Sequence, residues 1–131
     1  MTENITVHEV FPTDKKTLYE AWMNSQEHTL FTGGEASIDP KVGGKYMAWD
    51  EYIEGKTLEL HPFNRIVQTW RSTEFEEEDV DSLIELTLEE VESGTRLTIY
   101  HTNIPEGQGE RYVNGWHEHY FEPMQAYFGK D

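Results

Sequence analysis

The chain has 131 residues, the size of one domain with one core, and aromatic residues make up 13% of it. It contains no cysteine, which excludes disulfides, zinc–thiolate sites and thiol nucleophiles. Its 26 acidic and 10 basic side chains leave a formal charge of −16, which repels phosphate backbones and anionic lipid and so argues against nucleic acid and membrane surfaces as partners.

The start, Met1-Thr2-Glu3-Asn4, has neither a basic segment nor an apolar stretch of signal-peptide length. No apolar run approaches the roughly 20 residues of a membrane span. The expectation is a cytoplasmic protein formed by a single domain, residues 1–131. Ile5 to Phe11 alternates and is rich in β-branched residues, so it predicts a strand that Pro12 ends. Thr13 or Asp14 then caps a helix with Leu18 and Trp22 at helical spacing. A short second helix over Ser25 to Phe31 is broken by Gly33-Gly34.

A run of strands follows: Lys45 to Ile53, with Gly55 as the turn after it, then Thr57 to His61 and Ile66 to Ser72. The acidic run Glu74 to Asp81 reads as a solvated loop. Ser82 to Val91 is the next strand, with Ile84, Leu86 and Leu88 on one face, and Ser93-Gly94 turns it into a closing strand, Arg96 to His101. Glu110 to Phe128 predicts a long helix with Val113, Trp116, Tyr120, Met124 and Phe128 on one stripe. Pro123 interrupts it, removing a backbone hydrogen bond and clashing with the carbonyl of His119, so a kink or break is expected there. A meander of antiparallel strands followed by one long helix gives an α+β domain in which the helix covers one face of the sheet.

Asp39-Pro40-Lys41-Val42-Gly43-Gly44-Lys45 is a tight turn feeding a strand. It is followed by Gly55 with Thr57-Leu58-Glu59-Leu60, Arg65-Ile66-Val67-Gln68-Thr69-Trp70-Arg71 and Gly94-Thr95-Arg96-Leu97-Thr98-Ile99-Tyr100-His101, then Asn103-Ile104-Pro105, Gly115-Trp116 and Pro123-Met124-Gln125-Ala126-Tyr127-Phe128. In this order the segments resemble the C-terminal domain of activators of the Hsp90 chaperone's ATPase, within the START-like (SRPBCC, Bet v 1-like) superfamily. The resemblance implies a helix-grip fold: a curved antiparallel sheet wrapped around a long C-terminal helix, two short helices after the first strand, and an elongated cavity between helix and sheet. It also implies two kinds of partner, a small hydrophobic molecule or a chaperone. The separate N-terminal domain of full-length activators, which makes the main chaperone contact, has no counterpart in these residues, so ATPase activation ranks below ligand binding.

Within that fold the C-terminal helix, the closing strand and the Ile66–Ser72 strand are expected to enclose a pocket. Trp49, Trp70, Trp116 and Tyr120 are its candidate wall residues. Period-two alternation puts Gln68 between Ile66 and Trp70 on one face, where its amide needs a partner, and sets His101 in line with Leu97 and Ile99. These two are the candidate polar contacts, though Gln68 could instead take an edge or solvent-facing position and His101 could instead bond to neighbouring backbone. Gly115 is expected to let the helix pack closely beside Trp116.

His117 and His119 are two residues apart on a helix and therefore point about 200° apart, so they cannot share a metal ion. Asp50 and Glu51 fall on a predicted strand, where one is expected as an exposed carboxylate of the sheet's outer face, while a buried one could serve as an acid–base group. No phosphate loop or nucleophile elbow is present, and no cofactor is called for. The function expected is a non-enzymatic module holding a small hydrophobic or aromatic ligand. A chaperone-associated interaction domain is second, and a cyclase- or hydrolase-type enzyme third.

Overall fold

The computed structural model describes residues 2–129. The first strand, β1 (Thr2–Phe11), leads into α1 (Lys15–Met23). The Asp14 carboxylate caps α1 by accepting from the Thr17 amide at 2.7 Å. Asn24 ends α1 and caps α2 (Ser25–Thr32), accepting from the Glu27 amide at 2.9 Å. Gly33 closes α2 in the left-handed region, with φ 86°.

Six more strands follow: β2 (Ser37–Ile38), β3 (Lys45–Ala48), β4 (Ile53–His61), β5 (Arg65–Ser72), β6 (Ser82–Val91) and β7 (Gly94–Pro105). They form one sheet in the order β1-β7-β6-β5-β4-β3-β2, and every pairing is antiparallel. The chain then runs through α3 (Gly109–Gly115), a π-helical turn (Trp116–Phe121) and α4 (Glu122–Phe128). The sheet curves around this helical path, as expected of a helix-grip fold.

The core lies between the two. Ile66 on β5, Ile84 and Leu86 on β6, and Leu97 and Ile99 on β7 are fully buried in one core with Phe121 and Met124 from the helix, Leu18 from α1, and Phe11 from β1, whose ring meets Phe121 edge-on at 5.8 Å. Burying each such side chain is worth about 1.5–3 kcal/mol.

Four local expectations are corrected. First, β3 ends at Ala48 rather than Ile53. Trp49, Asp50 and Glu51 have φ of 55°, 56° and 75°, a left-handed turn that no strand accommodates. Asp50 and Glu51 are therefore turn residues. Asp50 pins the turn: its amide donates to the Glu35 carbonyl and its carboxylate accepts from the Glu35 amide, both at 3.0 Å. Second, Gly55 lies inside β4, opposite Tyr46, and a Cβ there would sit 2.1 Å from the Thr69 carbonyl oxygen. It serves a close strand contact, and Tyr46 covers it while donating its hydroxyl to that same oxygen at 2.5 Å.

Third, the expected break at Pro123 is realised one turn earlier. The Glu122 amide reaches back five residues to the His117 carbonyl, and Pro123 stands at the start of α4, where a missing N–H breaks no bond of that segment. The widened turn shifts the buried stripe to Tyr112, Trp116, Tyr120, Phe121 and Met124, while Val113 and Phe128 are only partly buried. Fourth, Gly115 makes no close contact: a Cβ there would meet nothing within 4 Å.

Candidate functional site

A cleft of about 620 Å³ opens between the helical path from Arg111 to Tyr120, the turn from Trp49 to Ile53, and Trp70 on β5. Strand β7, expected as a wall, contributes no lining residue. Trp49, Trp70, Trp116 and Tyr120 all line the cleft, joined by Tyr52 and Tyr112. The rings form a connected wall. Trp70 meets Tyr112 at 4.9 Å and 75°, Trp116 meets Tyr120 at 4.9 Å, and Trp49 meets Tyr120 at 6.1 Å and 80°. Arg111, Glu118 and His119 stand at the exposed rim.

The wall is held from behind by polar groups that do not line the cleft. The Trp116 indole donates to His101 Nδ1 at 3.2 Å. The opposite nitrogen, Nε2, then carries the proton and donates to Ser82 Oγ at 2.8 Å, and Ser82 passes its hydrogen to the Trp70 carbonyl at 2.6 Å. His101 thus links Trp116 on the helix to the backbone of Trp70 on the sheet. Burial pushes its pKa down to about 3, so it is neutral at physiological pH.

Tyr120 is fixed in the same manner. Its hydroxyl donates to His28 Nε2 at 3.0 Å, and His28 Nδ1 donates to the Trp22 carbonyl at 2.9 Å. Burial lowers the His28 pKa to about 4 and raises that of Tyr120. The Tyr112 hydroxyl donates to Gln108 Oε1 at 2.7 Å and meets Ser72 Oγ at 2.8 Å.

Gln68 also lies behind the wall. It accepts from the Trp22 indole at 3.3 Å and donates to Thr57 Oγ1 at 3.2 Å, so the protein itself supplies the partners its burial demands. The structure therefore brings four of the six sequence candidates together on the cleft and assigns Gln68 and His101 to the supporting layer. His101 bonds to side chains rather than to backbone. Among residues not picked from the sequence, Tyr112 carried a usable signal, one helical turn before Trp116. Tyr52 carried none, because no glycine or proline in the sequence announces the left-handed turn that precedes it. Among the described residues, no cluster of three or more metal-ligating side chains occurs, and no helix is long and apolar enough to cross a membrane.

Residues 12–129 match the family model described as Activator of Hsp90 ATPase homolog 1-like protein. The human activator of 90 kDa heat shock protein ATPase homolog 1 is 30% identical over 128 residues, covering 98% of this chain and 38% of that protein. The corresponding Dictyostelium discoideum protein is 25% identical, covering 97% and 33%. The chain thus spans 33–38% of the length of these curated relatives. Among solved structures, an HSP90 activator from Plasmodium falciparum aligns with a TM-score of 0.86 and 26% identity, over 96% of each chain. The Aha1 dimer from Colwellia psychrerythraea aligns at 0.80 and 18% identity, over 98% and 99%, and speaks for the fold alone. With a family model spanning nearly its whole length and this fold shared, the chain belongs to the Activator of Hsp90 ATPase homolog 1-like family.

Proposed function

We propose that this domain is a non-enzymatic binding module whose cleft takes a small apolar or aromatic molecule. The observation that carries the reading is the cleft itself. Its volume falls in the range of small-ligand sites, about 300–1,000 Å³, and its walls are aromatic rings held from behind by satisfied hydrogen bonds. Backbone irregularity supports the same place. The left-handed turn at Trp49–Glu51 and the π-helical turn at Trp116–Phe121 each contribute lining residues to the cleft. Non-glycine residues in the left-handed region cost about 1–3 kcal/mol each, and both kinds of irregularity concentrate at functional sites. The two buried histidines nearest the cleft are neutral, bonded through both nitrogens and turned away from it, which favours binding over acid–base chemistry.

A second reading, a chaperone-associated interaction domain, is favoured by the human and Plasmodium relatives named as Hsp90 activators. One titration separates the two. Amide and indole NMR signals are followed while lipids, flavonoids and aromatic acids are added, and separately while an Hsp90 middle domain is added. Joint shifts of the cleft residues with a small molecule support the module. Silence there, with the acidic surface responding to the chaperone, would overturn it in favour of the second reading.

A further inference from the structure

We infer that the ligand of this cleft is an organic cation, an ammonium or quaternary ammonium group on an apolar or aromatic body. The inference rests on the cleft being a small-ligand site and adds the charge that the site selects.

Three observations carry it. The cleft is lined by Trp49, Trp70, Tyr112, Trp116 and Tyr120, aromatic rings whose faces bear negative quadrupole charge, and their pairs are inclined at different angles rather than stacked flat on one another. Rings of this type, tryptophan above all, attract cations and repel anions. The rim is the second observation. Its one arginine, Arg111, is already matched by Glu74, with Nη1 to Oε1 at 3.4 Å. Glu118, on the same helical face of the cleft, has no hydrogen bond or ion pair among the described residues. With Arg111 matched by Glu74, Glu118 is, among the described residues, the one carboxylate lining the cleft.

The third observation is the field of the whole chain. With 26 acidic and 10 basic side chains, approach to any concave apolar surface favours a positive ligand, since low-dielectric walls focus the field into a cleft. An aromatic acid would meet all three effects with the wrong sign. A neutral aromatic would gain from burial alone.

The test compares ligands of one shape and three charges. These are para-hydroxyphenyl-trimethylammonium, its neutral isostere para-tert-butylphenol, and para-hydroxybenzenesulfonate, titrated into the full chain at low salt and read by tryptophan fluorescence and indole NMR signals. The cation should bind about tenfold more tightly than the isostere, a difference of about 1.4 kcal/mol, and the sulfonate more weakly than either. Added salt should weaken the cation and leave the neutral phenol unmoved. In Glu118→Gln, an exposed substitution, the gap between cation and isostere should shrink to about threefold. Equal affinities for cation and isostere, or a sulfonate that binds best, would overturn the inference while leaving a ligand-binding cleft intact. Failure of all three to bind would remove the cleft reading and the inference with it.

Discussion

Acidification from pH 7 to pH 5 should destabilise the fold through His28 and His101. Both are buried and neutral, with pKa values lowered from 6.5 to about 4 and about 3. Each native pKa lies below its unfolded value, so the unfolded chain binds protons first on acidification. The stability these groups confer is intact above pH 6.5, falls below it, and is fully lost once the pH passes the folded value. Between pH 6.5 and pH 5 each histidine costs about 1.4 kcal/mol per pH unit, about 2 kcal/mol, so the pair removes about 4 kcal/mol. That is a large share of the 5–15 kcal/mol typical of a domain. Glu3, Asp14 and Glu59, whose carboxylates are held below their usual range by hydrogen bonds, lose their contributions only at lower pH. Urea unfolding at both pH values reads the effect, with His101→Gln as control, since its amide can still donate and accept. The variant should lose about 2 kcal/mol over the same interval rather than about 4. Equal losses in the two proteins, or imidazole NMR signals of native His28 and His101 that titrate between pH 7 and pH 5, would refute the reasoning.

Two substitutions probe the cleft walls. Trp116→Ala removes a buried ring and leaves His101 Nδ1 without its donor, so urea unfolding should show a loss of about 3–5 kcal/mol; a loss below about 1 kcal/mol would mean that the ring is peripheral. Gly115→Ala places a methyl group in open space at helical backbone angles (φ −62°, ψ −43°), so the same assay should show a gain of up to about 1 kcal/mol, whereas a clear loss would mean that Gly115 does serve close packing.

The sheet was legible because its strands alternate in plain sight. Ile84, Leu86 and Leu88 on β6, and Leu97, Ile99 and His101 on β7, point inward as period two requires. The caps at Asp14 and Gly33 were equally local signals. What escaped the sequence is backbone that departs from either period. Trp49-Asp50-Glu51 has neither glycine nor proline to announce a left-handed turn, and its conformation is secured by a bond to Glu35 that is distant in sequence. The π-helical turn comes with Tyr120 and Phe121, adjacent in sequence, both buried in the core, which a narrow 3.6-residue stripe does not express. Four cleft aromatics were still visible as large rings. The partners of Gln68 and His101 were not, because they sit on other elements: Trp22 and Thr57 for one, Ser82 and Trp116 for the other.

The chain carries its own internal reference for the central claim that the cleft is a ligand site. Of its four tryptophans, Trp49, Trp70 and Trp116 line the cleft and Trp22 lies behind it, bonded to Gln68. Indole N–H signals recorded while an aromatic ligand is titrated in should move for Trp49, Trp70 and Trp116 along one binding curve, with Trp22 shifting least. Movement confined to Trp22, or none in any of the four across the ligand panel, would contradict the account.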